Sequence, residues 1–334
     1  MKAMILAAGL GTRMRPLTLL RAKPALPVLN RPLIHWTLER LARAGVDEVF
    51  INLHYLGGSI RRAVGDGSKF GMRVRYSREP VILGTGGGPR KLRRHFGDAP
   101  VLLVNGDVLF GFDLRAFLAA HRRSGAVASL ALVPNPDPRL YSAVVLRRDG
   151  RIAALAGLPR PVRGRPWLFT GVQVLDPQLL DRLPPGLSDT VRHLYAPLVG
   201  EGVPVMGWTT DGAWFDFGAP RSYRDAQVAA SGAFPARARR VEPSARVAGA
   251  TIRRSVIGKD CIVEPGAVVE GSVLWERVRV EAGARVSGCI LAAGVRVAIG
   301  QELTDSILVP AARAHVHSRG GRAAGPLVSP IDGQ

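Results

Sequence analysis

Residues 3–18 read AMILAAGLGTRMRPLT, a run of apolar residues followed by a glycine-containing segment. Ala3–Ala8 is a short apolar run, which is typical of a strand buried on both faces of a parallel sheet. Gly9 and Gly11 follow, and glycines after such a strand let backbone N–H groups approach a phosphate closely. The forked guanidinium of Arg13 also suits phosphate oxygens. The stretch predicts a strand that leads into a phosphate-binding loop.

Two common phosphate loops are excluded by the residues that follow. Met14 stands where the third glycine of a dinucleotide-binding GxGxxG motif belongs. No Gly-Lys-Ser/Thr sequence follows either, so the loop is not a Walker A motif.

The chain up to residue 230 alternates strand-like and helix-like segments. Further strands are predicted at Val49–Leu53, Arg73–Tyr76, Val101–Asn105 and Val127–Val133, and helices from Asn30 to Gly45, near 90–95 and over 114–124. This βαβ rhythm predicts an α/β domain with a Rossmann-like, mostly parallel sheet. Ligands of such sheets bind at the carboxyl ends of the strands.

After residue 240 the sequence pattern changes, and the sequence repeats every 17 residues. Three copies are in register: VEPGAVVEGSVL from Val263, VEAGARVSGCIL from Val280 and VAIGQELTDSIL from Val297. Apolar residues recur at steps near six within each copy, as in hexapeptide-repeat β-helices. We predict a short left-handed parallel β-helix of about four coils over 241–313, joined by a linker at 231–240 and followed by a mobile tail at 314–334.

Composition and charge exclude several classes of protein. Apolar residues make up 47% and charged residues 22%, as in ordinary globular chains. Two cysteines cannot form a disulfide framework, so they are expected to be packed thiols in a reducing, cytoplasmic location. The net charge of +20 comes without a basic helix or zinc-finger spacing, which favours phosphorylated ligands over nucleic acid. No apolar run is long enough for a transmembrane helix, so no membrane association is expected.

The opening loop, followed by Lys23-Pro24, resembles the signature of the sugar-1-phosphate nucleotidyltransferases, or NDP-sugar pyrophosphorylases. The resemblance covers residues 1–230, and with the β-helix the layout is similar to that of mannose-1-phosphate guanylyltransferases. The further matching motifs are Ile51–Tyr55, Gly65–Gly71, Tyr76–Pro80, Leu83–Gly88, Asn105–Asp107 and Trp214–Pro220.

This resemblance implies a role for each matched position. Arg13, Lys23 and Asp107 are implied as catalytic residues, Asp107 and Asp216 as the carboxylates that hold Mg²⁺, and Thr170 and Gly171 as sugar-binding residues. The implied nucleotide-binding residues are Leu6, Ala8, Gly9, Gly11, Thr12, Arg13, Glu79, Gly84, Thr85, Gly86 and Asn105.

The chain departs from the family pattern at the sugar-phosphate site. Many members carry Glu-Lys-Pro before the sugar-binding strand, whereas this chain has Ala156–Pro159. The familiar lysine is therefore missing, and Arg160, Arg163 or Arg165 are the basic residues nearby.

The substrates and the assembly are expectations drawn from the same resemblance. GTP with mannose 1-phosphate is the first expectation, and UTP with an amino sugar (N-acetylmuramate type) or glucose 1-phosphate is the second. The β-helix contains no histidine over 241–310, which argues against an acyltransferase and favours a role in homo-oligomers. A catalytically silent subunit that senses nucleotide sugars is the alternative function.

Overall fold

The computed structural model describes residues 1–233, 240–310 and 327–332. These residues form two compact units. The first unit comprises Met1–Gly9 and Ile34–Trp214, and the second comprises Leu10–Leu33 with Phe215–Gln334.

The segment 10–33 groups with the C-terminal part of the chain, although the sequence suggested a continuous domain over 1–230. Hydrogen bonds explain the difference. The Tyr223 hydroxyl donates to the carbonyl of Pro27, and the N–H of Leu29 donates to Gln227 Oε1 at 3.0 Å. Contacts between residues far apart in the chain cannot be read from a linear pattern of strands and helices.

Within the described residues the helices are α1 (Leu33–Arg43), α2 (Gly57–Val64), α3 (Gly84–Lys91), α4 (Arg93–Phe96), α5 (Leu114–Ser124), α6 (Ala196–Gly200) and α7 (Pro220–Ala233). The predicted helices that follow Asn30, lie near 90–95 and cover 114–124 correspond to α1, α4 and α5, and the sequence pattern predicted no helix at the other positions.

The strands up to residue 216 include those of the predicted sheet. They are β1 (Lys2–Leu6), β2 (Pro27–Val28), β3 (Arg31–Pro32), β4 (Glu48–Leu53), β5 (Arg73–Arg78), β6 (Val101–Asn105), β7 (Val108–Phe110), β8 (Ala128–Pro134), β9 (Ala143–Leu146), β10 (Ile152–Leu155), β11 (Trp167–Leu175), β12 (Val205–Thr209) and β13 (Trp214–Asp216).

The main sheet of the first unit has the order β10-β9-β11-β6-β1-β4-β5; β8 pairs with β11, and β12 pairs with β8. Its central strands β5, β4, β1 and β6 are all parallel, whereas β11 pairs with β6, β8 and β9 in the antiparallel direction. Met4, Val49 and Leu103 are buried, as expected for strands covered on both faces. The sheet confirms the predicted Rossmann-like class.

The strands after residue 240 are short. They are β14 (Thr251–Arg253), β15 (Val256–Ile257), β16 (Ile262–Val263), β17 (Val268–Glu270), β18 (Val273–Leu274), β19 (Arg279–Val280), β20 (Arg285–Ser287), β21 (Ile290–Leu291), β22 (Arg296–Val297), β23 (Glu302–Thr304), β24 (Ser306–Val309) and β25 (Leu327–Pro330).

These strands stack as three parallel faces, which confirms the predicted β-helix. Thr251 pairs with Val268, Val268 with Arg285 and Arg285 with Glu302, so each coil advances the chain by the predicted 17 residues. The inward aliphatic residues form one core that also contains both cysteines as free, buried thiols.

Two boundaries differ from the sequence expectations. Helix α7 continues to Ala233, so residues 231–233 are helical, and the remainder of the predicted linker to residue 239 lies outside the described residues. Strand β25 pairs antiparallel with β24, so the prediction of a mobile tail is wrong for Leu327–Pro330. Pairing protects an otherwise open strand edge of the last coil. Residues 314–326 and 333–334 of that tail lie outside the described residues.

Within the described parts of the chain, no helix is both long and apolar enough to span a membrane.

Candidate active site

One edge of the first unit's sheet collects several of the predicted site residues. Leu6 of β1 pairs with Asn105 of β6, and Leu53 of β4 pairs with Arg78 of β5, so these parallel strands end together. The residues that follow each end therefore lie along a common edge, where α/β sheets bind ligands. They are Ala7–Gly9, Glu79 and Gly106–Asp107.

Gly11, Thr12 and Arg13 of the second unit begin a turn that is held at the Gly11 carbonyl. That carbonyl accepts from the N–H of Met14 at 3.0 Å and from the Thr18 hydroxyl at 2.7 Å. Gly11 has φ +62°, and a Cβ atom there would lie 2.8 Å from Cγ2 of Thr18. The positive φ and this close approach favour glycine at the position. Thr12 and Arg13 are exposed to solvent.

Lys23 begins a single 3₁₀ turn, Lys23–Ala25, in the second unit. Its residue is only 9% exposed, which is unusual for lysine. A compact ammonium held in such surroundings is suited to an anionic ligand. Burial therefore distinguishes Lys23 from a solvated lysine on the surface.

A buried hydrogen-bonded chain links the ends of β1, β4 and β5. The N–H of Ala7 donates to Asn52 Oδ1 at 2.6 Å, and Asn52 Nδ2 donates to Glu79 Oε1 at 2.8 Å. Glu79 Oε2 accepts from the N–H of Leu83 at 3.2 Å. The Glu79 carboxylate is thus engaged within the protein, so we expect it to position the neighbouring loops rather than contact a base. The sequence placed Asn52 within the matching motif Ile51–Tyr55 but assigned it no role.

Gly84, Thr85 and Gly86, which the resemblance implies as nucleotide-binding residues, lie in the first part of helix α3, and the glycine-rich run continues to Gly88. Close packing explains the glycines. A Cβ atom would lie 2.3 Å from the Ser188 carbonyl oxygen at Gly84, and 2.0 Å from the Gly186 carbonyl oxygen at Gly87. At Gly88 it would lie 2.8 Å from Glu79 Oε1. The run is therefore required first by contacts within the protein.

Two threonines predicted to bind ligands use their hydroxyls inside the protein. Thr85 Oγ1 donates to Asp189 Oδ2 at 2.9 Å. Thr170 is fully buried, and its hydroxyl donates to the Ala131 carbonyl at 2.8 Å and accepts from the N–H of Val172 at 3.3 Å. The Thr170 side chain therefore does not offer a hydrogen bond to a sugar, which corrects that part of the prediction.

Gly171, the other predicted sugar-binding residue, lies beside Asn105 at the sheet edge where β1 and β6 end (the active edge). A Cβ atom at Gly171 would lie 2.6 Å from Asn105 Nδ2, and its φ is +80°. Trp214 Nε1 donates to the Thr170 carbonyl at 3.0 Å, and the Tyr141 ring meets the Trp214 ring edge to face at 5.5 Å. Sequence reasoning missed Tyr141, since its place in a polar loop carries no signal.

The three arginines near the missing sugar-phosphate lysine are exposed. The Arg165 guanidinium lies over the Trp167 ring, 4.4 Å from its centroid, whereas Arg160 and Arg163 lie in the loop before β11. The structure fixes none of them at the active edge.

Asp107 and Asp216 were predicted to hold Mg²⁺. Both are half-buried, and glycine at position 218 makes room for the Asp216 carboxylate, because a Cβ atom there would lie 2.5 Å from Asp216 Oδ2. Within residues 1–233, 240–310 and 327–332, no group of three or more His, Cys, Asp or Glu side chains forms a metal site. Mg²⁺ commonly takes one or two carboxylates and completes its shell with water and substrate phosphates. Asp107 of the first unit and Asp216 of the second are each of the ligand type that this mode of binding uses, and a shared metal ion stays a prediction.

Comparison with known families decides the relationship. Residues 2–231 match the model of the nucleotidyl transferase family, and residues 235–320 match the GlmU-like C-terminal hexapeptide family. The chain belongs to the nucleotidyl transferase family. The predicted enzyme class is thereby confirmed, and the hexapeptide match agrees with the β-helix.

Curated relatives of this nucleotidyl transferase carry different substrate names. A uridylyltransferase for N-acetylmuramate α-1-phosphate from Neisseria meningitidis is 39% identical, covering 69% of this chain and 98% of that protein. A mannose-1-phosphate guanylyltransferase from Mycobacterium tuberculosis is 31% identical, covering 79% and 77%. A UTP–glucose-1-phosphate uridylyltransferase from Synechocystis is 33% identical, and the chain spans 61% of its length.

Solved structures show the same fold. HddC from Yersinia pseudotuberculosis aligns with a TM-score of 0.58 at 20% identity, covering 68% of this chain and 97% of that one. A putative glucose-1-phosphate thymidylyltransferase from Bacillus anthracis aligns with a TM-score of 0.59 at 20% identity, covering 69% and 94%.

Proposed function

We propose that the protein transfers a nucleotidyl group from an NTP to a sugar 1-phosphate, giving an NDP-sugar and pyrophosphate. The observation that carries the proposal is the common sheet edge, which gathers the β1 turn, Asn105, Asp107 and Gly171. The three relatives described above are named as uridylyl- or guanylyltransferases for three different sugar 1-phosphates, which supports this reaction type.

The reaction is a single displacement. An oxygen of the sugar phosphate forms a bond to the α-phosphorus, and the bond from that phosphorus to the bridging oxygen of the β-phosphate breaks. The nucleophile is already an anion, so no general base is needed, and positioning with charge neutralisation supplies the rate.

Each charged residue has a proposed role in this displacement. Arg13 binds the departing pyrophosphate, and Lys23 neutralises charge on the phosphates close to the reacting centre. Asp107 and Asp216 would hold Mg²⁺, which supplies positive charge to the phosphate oxygens when bound. The backbone around Gly9 and Gly11 receives the triphosphate.

The sugar is proposed to lie near Gly171. Glycine at position 171 makes room for the Asn105 side chain, and the half-buried Tyr141 and Trp214 rings offer apolar surface for a pyranose. An arginine of the loop before β11 would replace the missing lysine as the partner of the sugar phosphate.

The first proposed substrate pair is GTP with mannose 1-phosphate. The similarity to the guanylyltransferase covers 79% of this chain, whereas that to the N-acetylmuramate uridylyltransferase covers 69%. UTP with N-acetylmuramate 1-phosphate is the second pair, favoured by the higher identity of 39% and by the altered sugar-phosphate motif.

The test is pyrophosphate release in the presence of Mg²⁺, with GTP, UTP, dTTP, ATP and CTP each offered against a panel of sugar 1-phosphates. One preferred pair would establish the reaction and name the product. Absence of release with every pair, in folded protein that still binds nucleotide, would contradict the proposal and favour the sensing subunit.

The β-helix is further proposed to join copies of the chain into a homo-oligomer in the cytoplasm. It exposes an aliphatic side chain, Ile299, to 75%. Light scattering should give a multiple of the 35.7 kDa chain mass, and a mass of one chain would contradict this assembly.

A further inference from the structure

The segment that carries Lys23 is fastened to the β-helix within the second unit. The Arg21 guanidinium forms an ion pair with the Glu276 carboxylate and lies over the Trp275 ring, 5.1 Å from its centroid. The Arg21 and Glu276 side chains are only 30% and 20% exposed. Partial burial reduces solvent screening of the ion pair, and the indole face adds a cation–π contact.

A second connection runs through helix α7. Trp275 Nε1 donates to the Tyr223 hydroxyl at 3.0 Å, and that hydroxyl donates to the Pro27 carbonyl. Trp275 is 1% exposed and Tyr223 is fully buried. The single hydroxyl hydrogen and an acceptor lone pair are both used, so the chain of hydrogen bonds is complete.

A third set of contacts holds the residues that follow. The N–H of Leu29 donates to the buried Gln227 side chain at 3.0 Å, and Asn30 Nδ2 donates to the carbonyl of Ile257 at 2.9 Å. Together with Arg21, these anchors lie on both sides of Lys23 in the sequence. A short segment fixed at both ends keeps its central side chain within a narrow range of positions.

We propose that the β-helix positions the Lys23 segment for phosphate binding, with Arg21, Trp275 and Glu276 as positioning residues. The inference rests on the proposed role of Lys23 in holding phosphate. By linkage, a change on the β-helix that displaces Glu276 weakens phosphate binding, and bound phosphate strengthens the contact with the β-helix to the same extent. The appended domain thereby takes part in substrate binding in addition to any role in assembly.

The experiment compares two glutamates of the β-helix. Glu276→Gln removes the partner of Arg21, whereas Glu264→Gln removes an equal charge from an ion pair with Arg279, whose atoms lie 2.6 Å apart. Calorimetry measures the affinity of each full-length variant for inorganic pyrophosphate with Mg²⁺, and kinetics measure KM for each substrate separately.

Glu276→Gln is expected to weaken pyrophosphate binding about threefold to tenfold, with a similar rise in KM for the NTP. The KM for the sugar 1-phosphate should stay unchanged, and Glu264→Gln should match the wild type in every measurement. Equal effects of the two substitutions, or no effect of Glu276→Gln, would overturn the inference.

A double-mutant cycle with Arg21→Gln tests the pair directly. If the two side chains act together, the double variant should bind pyrophosphate no more weakly than Arg21→Gln alone. Additive losses would overturn the coupling, and so would a wild-type protein that does not bind pyrophosphate. If the protein binds pyrophosphate but turns over no substrate pair, the proposed function is contradicted. The double-mutant cycle would then still test whether the β-helix positions the Lys23 segment, because it measures pyrophosphate binding and not turnover.

Discussion

The sheet of the first unit and the β-helix of the second both bury polar side chains, but these side chains connect different parts of the chain. In the sheet, Asn52 and Glu79 join the ends of three strands to the start of helix α3. In the β-helix, Ser255 Oγ accepts from the N–H of Ser272 at 3.0 Å, and Ser272 Oγ accepts from the N–H of Cys289 at 2.9 Å.

The serine contacts repeat every 17 residues and link one coil to the next, so they build a scaffold. The Asn52–Glu79 contacts occur once, at the edge where ligands are expected, so they build a site. In this protein, buried polar residues that join different strands and a helix at the strand ends belong to the candidate site. Buried polar residues that recur every 17 residues belong to the β-helix scaffold.

The largest expected effect is on chemistry and comes from Lys23. Lys23→Ala should lower kcat/KM about a hundredfold to a thousandfold, because a charge that neutralises the transition state is lost. The control is Lys259→Ala, which removes an exposed lysine of the β-helix and should leave turnover unchanged. Similar rates for the two variants would show that Lys23 takes no part in the chemistry.

The next effect separates two kinds of glycine. Gly87→Ala should destabilise the protein by about 2 kcal/mol or more, because its Cβ would lie 2.0 Å from a backbone oxygen. Gly9→Ala meets nothing within 4 Å, so it should keep the unfolding midpoint in urea but weaken NTP binding, since the added methyl group occupies the phosphate approach. A reversed pattern in the urea titration and nucleotide binding would contradict this division.

The buried chain at the strand ends should be costly to break. Asn52→Ala leaves Glu79 Oε1 and the N–H of Ala7 without their partner, which costs about 1–3 kcal/mol of unfolding free energy. The KM for the NTP should rise as well, because the β1 turn loses its support. An unchanged KM in a folded variant would show that the chain serves stability alone.

Breaking the serine contacts of the β-helix should have a smaller effect on the unfolding free energy and should not change turnover. Ser272→Ala removes a hydroxyl that accepts from the N–H of Cys289 and donates to the carbonyl of Glu270, and it should cost about 1 kcal/mol of unfolding free energy. Turnover per folded molecule should match that of the wild type. A loss of turnover at full folding would mean that the serine contacts take part in the site.

The smallest expected signal is thiol labelling of the β-helix core. Burial raises the pKa of the Cys261 thiol to about 11, and burial also raises that of Cys289. At pH 8 only about one Cys261 thiol in a thousand would be ionised, so iodoacetamide should react slowly until the protein unfolds. Labelling should speed up as the pH rises toward 11, and rapid labelling at pH 8 would contradict the packed core.

The period of 17 was enough to predict the register of the β-helix, because each coil interacts mainly with its neighbour. The buried apolar runs also located β1, β4, β5, β6 and β8 to within two residues at their ends, whereas the pattern predicted no strand at β9, β10 or β12. The contacts of Thr170 with Ala131 and of the α3 glycines with residues 186–188 could not be read from the sequence, because these partners are distant in the chain. The grouping of 10–33 with the β-helix was missed for the same reason.

The most direct test of the proposed site is the Mg²⁺ dependence of pyrophosphate release in two aspartate variants. Asp107 follows β6 at the active edge, whereas Asp113 caps helix α5 by accepting from the N–H of Arg115 at 2.8 Å. With the preferred substrate pair, Asp107→Asn should lose at least a hundredfold in turnover while remaining folded. Asp113→Asn, which preserves a good cap, should match the wild type. Wild-type turnover by Asp107→Asn would contradict the assignment of the active site to this edge of the sheet.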